Sequence, residues 1–374
     1  MPSRQETHAR LAESVRPATS IVVPYEPDAP PARLARLVGD EVAERWRAVD
    51  RSAHAPHLVA VPEADGEGWA AAALVTARPD TAYLKIVDAV GDVRAAAGAV
   101  VAHAGRRELT QVKWEGWTAR PEDAEAAGFA ALSPPLTPSQ HSAGPASGYV
   151  RWLRDGTTTA PPYYGQTTHF TCGAVTALVA QAHAGALAFE ALDRQAELTL
   201  WRDATNFLAC EPVGLGVAVR RAWPSSPVTV HLDTDRPVLL DHYPENDREW
   251  RALLQRASRT DAERTGVPID PGRLSLTAIR DAIGRREHVL LLLSLAGMQG
   301  FDVPHWVLCH GVVPGAVVID DPWANATTGD TWVDAHLLPV PDTSLDTMSA
   351  IAPEGFRGAV AIGTPRGPDE APSS

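Results

Sequence analysis

Gln166, Cys172, His305 and Asp321 are the side chains whose types and spacing could do covalent chemistry together. Gln166 stands six positions before Cys172, which opens the small, apolar run Cys-Gly-Ala-Val-Thr-Ala-Leu-Val-Ala. Far downstream, His305 lies in Pro-His-Trp-Val-Leu and Asp321 in Val-Val-Ile-Asp-Asp-Pro-Trp. A thiolate attacks a carbonyl carbon where a thiol does not. An imidazole can take and return the proton, and a carboxylate can fix that imidazole's tautomer and direction. A side-chain amide and a backbone N–H can donate to the developing oxyanion, such donors contributing about 3–4 kcal/mol each. The chemistry available to these four is acyl transfer through a thioester.

These groups need elements to hold them. The run from Cys172 to His183 reads as a buried helix with the cysteine at its N-terminus, where the helix dipole favours a thiolate. Gly173 and Ala174 are small enough to let a substrate approach. His305 to Val313 and Ala316 to Asp320 read as strands joined at Pro314-Gly315. Seven or eight residues lie on each side of that turn, so a hairpin returns Asp321 to His305. Asp320 is the second candidate, but alternation points it to the opposite face. Taken alone, a cysteine heading an apolar helix is an ordinary core residue. Gln166 and the two distal motifs are what single out Cys172. Cys210 and Cys309 read as structural, His310 as a strand residue, and Tyr163 and Tyr164 as lining either a groove or a packed turn.

The rest of the chain narrows the options. Its 374 residues carry a net charge of -13, with no basic run, so nucleic acid is not an expected partner. Lysine occurs only at positions 85 and 113, which leaves little room for lysine chemistry. An odd set of three cysteines without a Cys-x-x-Cys pair argues against disulfides or a zinc centre. No phosphate-loop Gly-Lys-Ser/Thr pattern, Gly-x-Ser-x-Gly elbow or His-Glu-x-x-His helix is present, and no cofactor is expected. The first twenty residues are polar, and Val289 to Ala296, the longest apolar run, is far short of the ~20 residues that span a bilayer. Neither a membrane partner nor export is expected, and a cytoplasmic, reducing setting would suit a free thiolate.

Pro, Ser and Gly crowd into Ser133 to Gly148 and divide the chain. The expected units are residues 1–133, a linker over 134–148, a second unit over 149–363 and a disordered tail over 364–374. In the first, Ile21–Val23, Leu58–Val61, Trp69–Thr76, Tyr83–Val87 and Leu109–Trp114 read as strands. Ala32–Trp46, a helix capped by Asp92 and running to about His103, and Pro121–Ala127 read as helices. In the second, a short strand at Tyr149–Leu153 precedes helices at Cys172–His183, Ala186–Trp201 and Ser275–Gly284. The strands His288–Leu295, His305–Val313 and Ala316–Asp320 follow. The expected class is α+β, helices on an antiparallel sheet, preceded by a smaller α/β unit.

The first unit's order, β-α-β-β-β-α-β-α-β with Ala124 to Phe129 closing the last helix, resembles the acetyltransferase fold of the GNAT superfamily. That fold implies a Gly-rich pyrophosphate turn at the central helix. Here Val90 to Gly98 lacks the spaced glycines and carries Asp92, so a degenerate domain without coenzyme A is expected. Gln166-x5-Cys172-Gly173, Pro304-His305-Trp306-Val307 and Asp321-Pro322-Trp323 resemble the bacteriocin-processing (double-glycine) peptidase-like family of papain-fold enzymes, and Glu197 to Thr205 resembles members with a GNAT-type domain in front. The resemblance implies a papain-like fold with Cys172 as nucleophile, His305 as base, Asp321 as orienting carboxylate and Gln166 at the oxyanion. Ala174 stands where the family commonly has proline, His169 where an acid is common, and Leu208 to Val213 where a Gly-rich phrase is common. A different substrate groove is therefore expected. The substrate is expected to be a peptide or a small amide or acyl compound, released by hydrolysis. With an amine as acceptor, the same site would make an acyltransferase or amide-forming enzyme. A peptide-binding pseudo-enzyme is the non-catalytic alternative.

Overall fold

The computed structural model describes residues 20–136, 145–158, 160–204, 209–241 and 243–364. Most of the expected linker and nearly all of the expected tail lie outside the described residues.

The first unit is one sheet with three helices. Its strands are β1 (Ile21–Pro24), β2 (His57–Pro62), β3 (Trp69–Thr76), β4 (Tyr83–Gly91), β5 (Gln111–Glu115), β6 (Ala130–Ala131) and β7 (Gly148–Trp152), in the order β1-β2-β3-β4-β5-β7-β6. β4 and β5 run parallel, joined by α2 (Val93–Arg106); the other neighbours are antiparallel. The helix expected over Ala32–Trp46 is split into a 3-10 turn, Leu34–Arg36, and α1 (Asp40–Arg47), because Gly39 is extended, at ψ 161. Its apolar stripe survives the break: Leu34 and Trp46 are buried, and Leu37, Val38 and Val42 pack beside them. α3 (Pro121–Ala126) completes the unit.

One boundary is corrected. The strand expected to open the second unit at Tyr149 is β7, inserted between β5 and β6. Tyr149 lies opposite Trp114 in the register and against its ring, 6.5 Å between centroids. Such pairing is non-local, so no signal near residue 149 announces it; the first sheet runs to Trp152 instead of ending before the linker.

The second unit contains β8 (Thr157–Thr158), α4 (Cys172–His183), α5 (Arg194–Ala204), α6 (Pro212–Ala222), β9 (Val228–Leu232), α7 (Glu245–Thr265), β10 (Ile269–Asp270), α8 (Leu276–Gly284), β11 (His288–Ser294), α9 (Ala296–Gln299), β12 (Pro304–Val313), β13 (Ala316–Asp320), α10 (Trp332–Ala335), β14 (Leu338–Pro341), α11 (Asp342–Met348) and β15 (Gly358–Ile362). The sheet order is β10-β9-β15-β11-β12-β13-β14, with β8 against β12. Leu290, Leu292, Trp306 and Leu308 face the core shared with α4, α5 and α6; Val289, Leu291, Val307 and Cys309 face the core shared with α8 and α11. A sheet covered on both faces reads as continuous apolar runs. α4 is buried from Cys172 through Ala182, which explains its apolar surface all round. This is the expected α+β arrangement of helices on an antiparallel sheet. α6, α7, β9 and β15 were not anticipated. α7 escapes periodicity because its buried face is Arg251, Gln255, Ser258 and Ala262, with Gln255 bonded through both ends of its amide to the Val238 backbone. No helix among the described residues is long and apolar enough to cross a membrane.

The two units share a buried, charged interface. Both lysines of the chain sit in it. Lys85 bonds Asp334 and Glu115, the latter at 2.7 Å, and Lys113 donates to the carbonyls of Asp334 and His336 at 2.8 and 2.6 Å. Tyr83 donates to Asp334 at 2.6 Å, and Thr331 donates to Glu115 at 2.8 Å. An ammonium is a compact charge whose three donors can diverge toward several acceptors, a task a planar guanidinium fits less well. Burial opposes the charge on Lys113 and brings it down to about 7, whereas Asp334 and Glu115 outweigh burial at Lys85 and hold its ammonium above the ordinary range.

Two measurements follow from this architecture. Asp334→Ala leaves Lys85 without its closest carboxylate, and a broken buried pair costs about 3–5 kcal/mol; urea unfolding should show a loss of that size. At the head of α2, Asp92 accepts from the Ala95 N–H at 3.0 Å, placing a carboxylate where a pyrophosphate would need free N–H groups. Titration calorimetry of the full chain with acetyl-coenzyme A should give no heat of binding; a micromolar Kd would overturn this reading of the helix.

Candidate active site

Cys172 is the first residue of α4, so its own N–H belongs to the first turn, where helical N–H groups lack intrahelical partners. The α4 axis is fixed by the packing of Gly173. A Cβ there would lie 3.1 Å from the Trp306 ring, 3.2 Å from Cys210 and 3.3 Å from Leu215. The expectation that Gly173 and Ala174 admit a substrate is therefore corrected: Gly173 admits Trp306, and Ala174 is buried in the core. Trp306 is anchored in turn by its indole N–H to the Cys210 carbonyl, at 3.0 Å.

His305 enters from the start of β12. The β12–β13 hairpin turns at Gly315, whose φ of 76° favours glycine. Its register contains one irregularity: Leu308 opposes Asp320 and Cys309 opposes Ile319, yet Gly311 opposes Val318, so His310 is the extra residue of a bulge. The His305 Nε2 and Asp321 Oδ1 meet at 2.7 Å. The other side of the ring reaches the Cys172 thiol, to which His305 is hydrogen-bonded. The structure thus brings Cys172, His305 and Asp321 into one row. Asp320 faces away, as alternation required, and bonds His336 at 3.0 Å and the Leu337 N–H at 2.7 Å.

The charges in this row reinforce one another. Burial opposes a thiolate at Cys172, but the charge and hydrogen bond of His305, with the N–H groups of Trp306 and Gly173, hold the thiol below its ordinary value. Burial likewise opposes an imidazolium at His305, yet Asp321 and Cys172 together push it up to about 10. Asp321 overcomes burial through His305 and Arg78 and stays below the usual carboxylate range. The other cysteines go the opposite way. Burial pushes Cys309 up to about 12, and burial, Cys172 and Glu211 raise Cys210 well above its ordinary value. Cys172 is 9% exposed against 2% for Cys210 and 0% for Cys309, so it is also the one nearest the surface.

Gln166 lies buried in the turn before α4. Its backbone N–H donates to the Pro322 carbonyl at 2.7 Å, and its side-chain N–H₂ donates to the Thr168 carbonyl at 2.7 Å, which leaves one amide hydrogen uncommitted. The first of these bonds ties the turn to the segment carrying Asp321. An open cavity of about 460 Å³ is lined by Asp80, Ser294, Gly297, Asp302 and Met348; Ser294 pairs with Pro304, next to His305, but none of Gln166, Cys172, His305 and Asp321 lines it. Tyr163 and Tyr164 are packed in the turn and do not line this cavity: Tyr163 donates to the Asp321 carbonyl at 3.1 Å and Tyr164 to Glu197 at 3.1 Å.

Two residues of the site escaped the sequence reading. Glu197, fully buried on α5, accepts from Thr171, from the Thr167 N–H at 2.8 Å and from Tyr164, and so shapes the loop that presents Cys172. Its position on the inner face of an amphipathic helix was the available signal. Arg78, between β3 and β4, donates to Asp321 Oδ2 at 2.6 Å. Nothing in the sequence linked residues 78 and 321.

Among solved structures, one described as a C39-like peptidase from Bacillus anthracis is 10% identical, with a TM-score of 0.31, covering 56% of this chain and 97% of that one. Two described as GNAT-family acetyltransferases, from Desulfovibrio desulfuricans and Staphylococcus aureus, match at 15% and 9% identity, each with a TM-score of 0.26 and 36% of this chain covered, and 99% and 100% of theirs. Likeness at this level says nothing about activity. No curated protein matches the chain. The match that carries weight is to a sequence family: the Peptidase_C39 like family extends over residues 161–363, just over half of the chain and all of the segment holding Gln166, Cys172, His305 and Asp321, so this chain belongs to that family.

Proposed function

We propose that this protein is a cysteine peptidase or amide hydrolase that acts on a peptide or small amide through a thioester at Cys172. The observation that carries the proposal is the row of Cys172, His305 and Asp321, with His305 held 2.7 Å from Asp321 on one side and hydrogen-bonded to the thiol on the other. In this reading the Cys172 thiolate attacks the carbonyl carbon, and the oxyanion is met by the Cys172 N–H and the free amide hydrogen of Gln166. His305 gives its proton to the departing amine as the C–N bond breaks, leaving a thioester. His305 then takes a proton from water, whose oxygen attacks the thioester; the carboxylic acid leaves and the thiol returns. Asp321 keeps the ring aligned throughout. An amine arriving in place of water would yield an amide by the same steps, and product analysis with and without added amine separates the two outcomes.

Cys172→Ala should fold normally and lose turnover by roughly a thousandfold or more, measured on an amide substrate found by screening; retained activity in the folded variant would sink the mechanism. Limited iodoacetamide labelling, read by peptide mass spectrometry, should modify Cys172 before Cys210 and Cys309. His305→Ala should slow that labelling strongly, and Asp321→Asn should slow it less. The pH dependence has a definite sign. The thiolate–imidazolium pair exists above the lowered pKa of Cys172 and below that of His305. Labelling should therefore rise at a pH below the ordinary thiol value of 9.0, and turnover, which needs the imidazolium proton, should fall as pH passes about 10.

A further inference from the structure

We propose that Arg78 is a positioning residue of the Cys172 site: its guanidinium, supplied by the N-terminal unit, holds the Asp321 carboxylate aimed at His305. The inference rests on the reading of Cys172, His305 and Asp321 given above. It makes the N-terminal unit a working part of the site.

The Asp321 side chain has no exposure, so each of its oxygens needs a partner inside the protein. Oδ1 accepts from His305 Nε2 at 2.7 Å and from the Trp323 N–H at 2.8 Å. Oδ2 has Arg78 Nη1 at 2.6 Å. Without that donor one buried carboxylate oxygen would be bare, and the group could turn about its Cβ–Cγ bond away from the ring. Arg78 also separates two carboxylates. Its Nη2 lies 3.1 Å from Asp330 Oδ2 and donates to the Trp323 carbonyl at 3.3 Å, so one planar fork spans Asp321, Asp330 and the backbone between them.

The loop that delivers Arg78 is built to hold it still. The Ala77 N–H donates to the His54 carbonyl, the Thr81 hydroxyl donates to the Arg78 carbonyl at 2.6 Å, and the Ala82 N–H donates across the interface to Pro339. The guanidinium itself is completely buried. A surface arginine recruited by chance would have neither this burial nor this clamp. The charged and titratable groups facing the assembly are Asp330 and, behind it, His54; Asp334, Tyr83, Lys85 and Lys113 from the interface; Tyr163, whose hydroxyl bonds the Asp321 carbonyl; Cys210 beside Cys172; and Asp320 on the far face of β13.

The test is the pH profile of Cys172 alkylation in the full chain, which needs no knowledge of the substrate. Removing a cation raises the pKa of every neighbouring group. Arg78→Gln should therefore move the profile to higher pH by roughly half a unit or more and lower the plateau rate by about tenfold. Arg78→Lys keeps the charge but loses the fork, so it should keep the profile's position while the plateau rate falls. In an Asp321→Asn background, Arg78→Gln should lower the plateau rate little further, because that effect passes through Asp321. Tyr83→Phe loosens the same interface at Asp334 without touching Asp321 and should leave the profile in place. A folded Arg78→Gln protein with wild-type profile and rate would overturn the proposal, as would an equal shift in Tyr83→Phe. If Arg78→Gln does not fold, an unchanged plateau rate in Arg78→Lys overturns it instead. Failure of Cys172 to label first in the wild-type protein is a separate result and refutes the underlying reading of the site.

Discussion

Two adjacent carboxylates, Asp320 and Asp321, end a buried strand, and much of this protein is arranged to make that tolerable. An ionised carboxylate without partners cannot remain inside a protein. Alternation sends the two side chains to opposite faces, so each needs its own set. Asp320 takes His336 and the Leu337 N–H, with His310 at 3.4 Å. Asp321 takes His305, the Trp323 N–H and Arg78. The bulge at His310, the segment around α10 and the docking of the first unit are all parts of this compensation.

The same logic explains why one thiol of three is singled out. All three cysteines are buried, and burial alone disfavours a thiolate. Only Cys172 has an imidazole within hydrogen-bonding reach and backbone N–H groups turned toward its sulfur. Cys309 shares β12 with His305 but lies among Val289, Ile319 and the residues of α8, in a different core from the one that holds Cys172. Cys210 serves the site through its backbone, as the acceptor for Trp306. The lowered thiol value of Cys172 follows from a few local partners that outweigh its burial.

The interface between the units draws on residues that read as unremarkable. Lys85 and Lys113, the two lysines of the chain, sit in strands of the first sheet. Both prove to be fully buried and committed to α10 and its flanks. Leu132, Val150, Tyr163, Trp332 and Val333 form an apolar cluster between the two units, so the contact combines apolar packing with paired charges. Asp334 anchors the contact through Lys85 and Tyr83, and Arg78 reaches from the same unit to Asp321.

Local chemistry and spacing determined a good deal. They marked Cys172 at a helix head, the Asp92 cap, the hairpin at Pro314-Gly315 and the choice of Asp321 over Asp320, because caps, turns and strand alternation depend on residues close in the chain. The β-α-β order of the first unit and the α+β order of the second were legible for the same reason. What stayed hidden depends on residues far apart. β7 joins a sheet whose other strands precede the linker; α7 buries polar side chains that carry no hydrophobic period; Gly173 is small to make room for Trp306. Arg78 meets Asp321 across 243 positions of sequence. Whether a charge is buried and what neutralises it depend on which surfaces the folded units press together, and that only the tertiary structure decided.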